Sequence, residues 1–248
     1  MTSPDPAYIH GHSDSVLRSH RWRTAANSAA YLLPHLRAGQ RLLDVGCGPG
    51  TLTVDLARHA GEGGEVVGVD LAESVVAEAT THAAAEGMAN VRFLAGDFRD
   101  LDLDLEPGSF DVVHAHQVLQ HLPDPPAALA AMAALAKPDG VVAARDADYL
   151  AFFWTPENPR LERWRDVYLE VSDRNGTEGR AGRNMLRWAR QAGLADIAYS
   201  TSTWTYATVG EREWWGGLWA DRIRSSTLAN QAVEYGVATR EDLEDLAA

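Results

Sequence analysis

The sequence predicts an α/β protein with a doubly wound, mostly parallel sheet, and three observations carry that expectation. Between residues 39 and 150, apolar strand-like runs alternate with helical segments five times, an order that calls for a parallel sheet covered on both faces. The run Leu42-Leu43-Asp44-Val45-Gly46-Cys47-Gly48-Pro49-Gly50-Thr51 passes from a hydrophobic strand through a glycine-rich turn into the start of a helix. Acids stand at three successive strand ends: Asp44, Asp70 and Asp97.

In chain order, Met1–Pro6 reads as a frayed tail with two prolines and little apolar content. Ser13 or Asp14 is placed to cap a helix running to about Leu33, where Pro34 approaches its end. After the first strand and glycine turn come a helix over Leu52–Ala60, a turn at Gly61–Gly64 and a strand over Glu65–Asp70. A helix over Glu73–Glu86, a strand over Asn90–Ala95 and a fourth strand over Phe110–His116 follow. Leu129, Met132, Ala133 and Leu135–Ala136 give the next helix its buried side. Lys137-Pro138-Asp139-Gly140 reads as the turn before a fifth strand, Val141–Asp148. Past a break rich in aromatics and prolines at Phe152–Pro159, Leu161, Trp164, Tyr168 and Val171 recur at helical spacing. Another helix is expected over Gly182–Ala192, stopped by Gly193. Ile197, Tyr199, Thr201, Thr203 and Thr205 alternate at strand period, and Glu211–Ala248 reads as helical, with a capping box at Thr239 and Asp242. The chain thus divides into 1–38, a core of 39–150, and 151–248.

The glycine turn carries the first chemical information. Three glycines within residues 46–50 allow positive φ and let a ligand approach a helix N-terminus without a Cβ in the way. A dinucleotide fingerprint, G-x-G-x-x-G, would put its third glycine at 51, where Thr stands. Asp44 adds negative charge where a diphosphate would lie, and suits a ligand with an ammonium group; S-adenosylmethionine (SAM) has a cationic amino-acid end and no phosphate. Asp70, about 20 residues beyond the turn, is placed for ribose hydroxyls, a feature that nicotinamide enzymes share. Asp97 ends a third strand where an adenine would lie in an open α/β sheet.

The pattern Asp44-Val45-Gly46-Cys47-Gly48-Pro49-Gly50-Thr51 resembles motif I of the class I SAM-dependent methyltransferases. Residues 110–124 and 137–148 resemble motifs IV and VI as found in small-molecule methyltransferases of the ubiquinone/menaquinone-biosynthesis type. The likeness is good over roughly 39–150 and looser at His10-Gly11-His12-Ser13, at Arg23-Thr24-Ala25-Ala26-Asn27 and in the Trp-rich tail. It implies a Rossmann-like fold with an antiparallel edge formed by strands of the C-terminal part. It implies SAM as cofactor and S-adenosylhomocysteine as product, with Asp44, Gly46, Cys47, Gly48 and Gly50 beside the amino-acid part. Asp70 would bind the ribose, Leu71 would be a further cofactor contact, Asp97 would accept from the adenine amino group, and Phe98 would pack on its ring. His116 and Gln117 would line the methionine end. An N-terminal lid over residues 1–38 would offer Tyr8 and His12 as contacts, and 151–248 would complete the sheet and the acceptor pocket.

Composition narrows the partners. A net charge of −13 opposes nucleic acid, since phosphate neutralisation needs a basic surface. No N/D-P-P-Y motif follows the fourth strand, so a small-molecule acceptor is expected. No apolar stretch approaches the ~18 residues of a membrane span and no signal peptide is evident, which makes the cytoplasm the default location. The single cysteine, Cys47, excludes an internal disulfide framework and a multi-Cys zinc site. A homodimer is compatible with the sequence.

Each candidate has a plain structural reading beside the functional one. Glycines 46, 48 and 50 could merely form a turn, yet three acids in step at strand ends favour a ligand. Cys47 lies near a helix N-terminus, where thiolates are stabilised, but a small residue fits the glycine pattern and no catalytic role is assigned to it. His114 and His116 share a strand face; without an acidic or Cys partner at ligand spacing, no metal is assigned. His116, His121 and Asp146 are the candidate bases, for use only if the nucleophile arrives protonated. His121 matches the His of the family's L-x-H-L-x-D stretch, where a structural hydrogen bond fits equally well. Asp146 and Asp148 would lie on one strand face, or pair with Arg145 or neighbouring arginines. Trp214, Trp215, Leu218 and Trp219 form a helical stripe that reads as core or as an aromatic wall for a flat or apolar acceptor. Two other functions stay open: an NAD-dependent oxidoreductase, which the glycine spacing opposes, and a non-methylating protein that retains SAM.

Overall fold

The computed structural model describes residues 14–100 and 103–248; Tyr8 and His12 lie outside them. Five strands form one parallel sheet in the order β3-β2-β1-β4-β5: β1 (Arg41–Val45), β2 (Glu65–Asp70), β3 (Val91–Ala95), β4 (Phe110–His116) and β5 (Ala136–Arg145). The order reverses between β1 and β4, which makes the carboxyl ends of those two strands the switch point of the sheet. Along each strand, alternate residues enter opposite layers. Leu43, Val67 and Val113 join a core with α5 (Pro125–Leu135) and α7 (Ala181–Gln191). Leu42, Val66, Val112 and Ala143 join the other, with α2 (Ala25–Ser28) and α3 (Thr51–Ala60). The parity of Leu42 and Val112 carries Asp44, His114 and His116 onto the α2–α3 face, and register with His116 puts Arg145 beside them.

The interior strands and helices follow the sequence closely; the differences lie at the ends. The expected helix to Leu33 is broken into α1 (Asp14–Arg21), α2 and a 3-10 turn over Leu33–His35. Thr24 and Asn27 close a capping box that starts a new helix after Arg21. The fifth strand begins at Ala136 rather than Val141, because Lys137–Gly140 is carried as a bulge: Ala136 pairs with Phe110 and Val141 with Val112. It also ends at Arg145, three residues early. Gln117 N donates to Arg145 O at 2.7 Å, and the chain then turns to the helical layer, where Gly182 N donates to Ala147 O at 2.9 Å. Asp146 and Asp148 therefore do not share a strand face.

Residues 198–207 form no strand, so the antiparallel edge is absent among the described residues. This segment is held by side chains instead: Tyr199 donates to Gly182 O at 3.1 Å, Arg145 Nε to Ser202 Oγ at 3.1 Å, and Trp204 Nε1 to Asn27 O at 2.7 Å. The remaining helices are α4 (Glu73–Ala85), α6 (Pro159–Arg174), α8 (Val209–Ser225), α9 (Thr227–Glu234) and α10 (Arg240–Leu246). The Thr239–Asp242 box caps α10 as the sequence indicates. A third core, with Tyr149, Trp164, Tyr168, Leu218 and Trp219, binds α6, α8, α9 and α10 together. No described helix is long and apolar enough to cross a membrane.

Candidate active site

The glycine turn is dictated by both conformation and space. Gly46, Gly48 and Gly50 have φ of 66°, 55° and 79°, a region costly for residues with a Cβ. A Cβ at Gly46 would lie 2.3 Å from Val118 Cγ2, and one at Gly50 2.8 Å from Ala79 Cβ. Gly50 caps α3 without a side-chain acceptor, leaving the first amides of the helix to other partners. Asp70 buttresses the turn: Gly48 N donates to its Oδ2 at 3.0 Å and Ala72 N to its Oδ1 at 3.1 Å. Leu71, next to it, is 67% exposed, a bare apolar face at the carboxyl end of β2.

Asp44 is deeply buried. Thr53 Oγ1 donates to Oδ2 at 2.6 Å and His114 Nδ1 to Oδ1 at 2.8 Å. A carboxylate only accepts, so His114 carries its proton on Nδ1, and Nε2 is left buried without a partner. Cys47 is buried too, and burial pushes its thiol well up, with Asp70 and Asp44 adding to the effect; the helix N-terminus does not make it a thiolate. Asp97 is gripped by Arg99, whose Nε lies 2.8 Å from Oδ1, and this side-chain bond lowers the Asp97 pKa. Phe98 does not offer an open ring: it is buried in the α5–α7 core with Arg99 over it.

The last turn of α1 and the residues after it lie directly on the glycine turn. Thr51 Oγ1 donates to His20 O at 2.9 Å, Arg23 hydrogen-bonds Gln117 Oε1, and Arg21 pairs with Glu78 at 2.7 Å. Arg18–Asp221 and Arg222–Ser19 contacts tie α1 to α8. Between the cover and the turn remains a narrow void about the size of one water, lined by His20, Arg23, Asp44, the glycine turn, Thr51, Leu52 and His116. Gln117 has φ of 55°, a strained conformation for a non-glycine residue.

At the tips of β4 and β5 the three candidate bases separate. His116 is buried, and burial with the charges of Arg23 and Arg145 holds its pKa well below the usual value. Its Nε2 accepts from Arg145 Nη1 at 2.9 Å, so the lone pair is committed. His121 is pushed down to about 3, by burial and then by Arg23; the amide nitrogen of Gln120 lies 3.0 Å from its Nε2. Asp146 moves the other way. Burial raises its pKa to about 7, against the hydrogen bond from Gln120 N at 3.3 Å and the charges of Arg23 and Arg145. Its Oδ2 is buried and unpartnered. Asp148 is taken up by Arg183, at 2.6 Å. No cluster of three or more His, Cys, Asp or Glu suited to a metal occurs among the described residues.

Around these tips the sequence reading missed Arg23 and Tyr31 as site residues and offered Arg145 only as a partner for Asp146 and Asp148, which bond Gln120 N and Arg183 instead; the roles of all three depend on contacts over long separations. Tyr31 has a buried, unpartnered hydroxyl, and burial raises its pKa; Arg145 and Asp146 both act on it. The tryptophan stripe divides. Trp219 and Leu218 are core, whereas Trp214 and Trp215 are half-exposed and join Trp22, Trp204 and Tyr206 in a ring cluster with centroids 5.3–6.1 Å apart.

The arrangement sets a carboxylate at Asp70, an apolar face at Leu71 and a side-chain-free turn at a helix N-terminus side by side at one edge of the sheet. Comparison with known proteins identifies the family. Residues 36–192 match the family model described as a methyltransferase domain. An uncharacterized methyltransferase of Schizosaccharomyces pombe is 35% identical over 231 residues, covering 88% of this chain and 80% of that one. A ubiquinone biosynthesis O-methyltransferase of Neisseria meningitidis is 42% identical over 181 residues, 70% of each chain. The crystal structure of an arsenic(III) S-adenosylmethionine methyltransferase from Chlamydomonas reinhardtii shares the fold, with a TM-score of 0.55 at 23% identity over 87% of this chain and 70% of that one. These findings set aside the nicotinamide oxidoreductase, and the chain belongs to the class I SAM-dependent methyltransferases.

Proposed function

We propose that this methyltransferase acts on a small aromatic or amphipathic acceptor, bound between the tips of β4 and β5 and the ring cluster of Trp22, Trp204, Tyr206 and Trp214. One observation carries this reading: a half-exposed aromatic surface abuts His116 and Arg145 at the carboxyl edge of the sheet that also carries the glycine turn. Such surfaces suit flat or apolar ligands.

SAM supplies a methyl group already activated on a sulfonium. The glycine turn would take its amino-acid part, with Asp44 as the buried negative charge nearby and Asp70 accepting from the ribose hydroxyls once Gly48 N yields its place. Leu71 would lie under the adenine. Asp97 serves the adenine amino group only if one oxygen accepts a second bond beside Arg99. The chain's main contribution is alignment and exclusion of water. His20 and Arg23, covering the turn, supply the exclusion and must move for the cofactor to enter. The acceptor's nucleophilic atom bonds to the methyl carbon as the carbon–sulfur bond breaks and its electron pair stays on sulfur. Where the nucleophile arrives protonated, Asp146 takes the proton on Oδ2 and later yields it to water. Among the three candidates only Asp146 has both an unpartnered, though buried, oxygen and basicity matched to neutral pH; His116 and His121 remain neutral and position their neighbours.

The test is incubation with methyl-labelled SAM and a panel of phenols, catechols, aryl amines and carboxylic acids, followed by product mass analysis. Label appearing in an aromatic product, with Asp146→Asn at least ~100-fold slower, supports the reading. Binding of SAM with no transfer to any acceptor class would favour a protein that retains SAM without methylating.

A further inference from the structure

Arg145 is the last residue of β5, and each of its contacts is neutral. Nη1 donates to His116 Nε2 at 2.9 Å, Nε donates to Ser202 Oγ at 3.1 Å, and the guanidinium carbon lies 4.4 Å from the centroid of Trp204. No carboxylate of the described residues lies within 4.0 Å of it, although the chain has 35 acids against 22 lysines and arginines. Its immediate neighbour Asp146 turns Oδ1 to Gln120 N instead. A half-buried cation with no carboxylate in contact is costly, and here it is held by a hydroxyl, an imidazole and an indole, with Asp146 acting on it only from a distance. Nη2 has no hydrogen-bond partner among the described residues.

The surroundings say what it faces. Trp204, under the guanidinium, is edge-on to Trp22 at 5.3 Å and lies 5.8 Å from His116. Tyr206 and Trp214 extend the same ring surface. A fixed guanidinium beside partly exposed rings, set at angles to one another, matches a flat ligand with an anion at its edge, because arginine presents planar donors to carboxylates and stacks on rings at once. Burial and nearby arginines keep His116 neutral, so its lone pair can orient Arg145 without adding a second charge.

We propose that Arg145 determines acceptor specificity by holding the carboxylate of an aromatic acid whose ring lies on the Trp22–Trp204–Tyr206–Trp214 surface. The proposal rests on the acceptor site described above and narrows its substrate class to aromatic monoanions. The competing explanation is a staple: Arg145 and Trp204 tie residues 202–206 to β5, a role that affects stability but not charge preference.

The experiment uses the full chain saturated with S-adenosylhomocysteine, titrated calorimetrically with 2-naphthoate and with 2-naphthamide, which match in shape and differ in charge. The proposal expects naphthoate to bind at least tenfold more tightly, Arg145→Gln to abolish that preference, and Arg145→Lys to keep part of it. Thermal melts report the staple separately, and the naphthoate/naphthamide ratio of the native chain stands even if Arg145→Gln does not fold. Equal binding of the pair, a preference that survives in Arg145→Gln, or no naphthoate binding overturns the proposal. A separate titration with S-adenosylhomocysteine tests the cofactor site, so failure of the acceptor reading and failure of this inference are read independently.

Discussion

The glycine turn takes its ligand surface from consecutive residues, 46–50, with the strand-end acids Asp44 and Asp70 beside it, whereas the tip of β4 and β5 is assembled from Trp22, Tyr31, the pair Arg145–Asp146, Trp204 and Trp214, drawn from distant parts of the chain. The first is fixed by φ angles and by lack of room for a Cβ. The second is fixed by which side chains happen to meet, through ring stacking, a cation on an indole and a few long-range hydrogen bonds. The contrast teaches why one cofactor site can serve many acceptors: the turn cannot vary without strain, while the tip can exchange side chains one at a time.

Asp146→Asn should have the largest effect. Losing a base costs roughly 10²–10⁴ in kcat, and the native rate should rise with pH and level off above about 7, the Asp146 value, while the variant's profile flattens. Stability runs the opposite way. The folded chain keeps a proton on Asp146 between the ordinary carboxyl range and about 7 that the unfolded chain has released, so stability falls as pH rises through that window. The Asp146→Asn variant escapes this loss, and its melting temperature should exceed the native value at about pH 8 but not at about pH 4. A native-like pH–rate curve in the variant would move the tip's chemistry to another group.

Asp70→Ala comes next. It removes the proposed acceptor for two ribose hydroxyls and the buttress of Gly48 N, so the Kd for SAM should rise roughly 100-fold, as measured by calorimetry. An unchanged Kd would break the assignment of the turn. Gly50→Ala probes the rigidity of the same half: a φ of 79° and contacts of 2.8–2.9 Å to Ala79 and Phe93 should cost about 2–4 kcal/mol, a loss of roughly 5–15 °C in Tm. Smallest is His121→Ala, expected to slow turnover less than about tenfold because the imidazole stays neutral and lies against the structural amide of Gln120. Total loss of activity with intact SAM binding would make His121 the base.

What can be read from the sequence follows the same division. The order of strands, Asp44, Asp70, the three glycines and the α10 capping box are local patterns, and all appear where the spacing puts them. The end of β5 escapes such reading because Val141–Asp148 looks like a strand to its last residue; Gly182, whose absent Cβ lets α7 approach Asp146 and Asp148, ends it from outside. The alternation at 197–205 looks like an edge strand, yet its side chains are taken by Gly182, Arg145 and Asn27. Phe98 follows a site acid in sequence, but its apolar ring is more stable in the α5–α7 core. Arg145 gives no local signal, since only folding brings His116, Ser202 and Trp204 around it.

A crystal structure of the protein with S-adenosylhomocysteine would test the joined halves most directly. The adenosyl end should lie against Asp70 and Leu71, with His20 and Arg23 displaced or re-closed over the amino-acid part, and the open side of the sulfur should face Asp146 Oδ2 and the Arg145–Trp204 surface. A sulfur walled off from Asp146, with its open side toward another part of the molecule, would contradict the account.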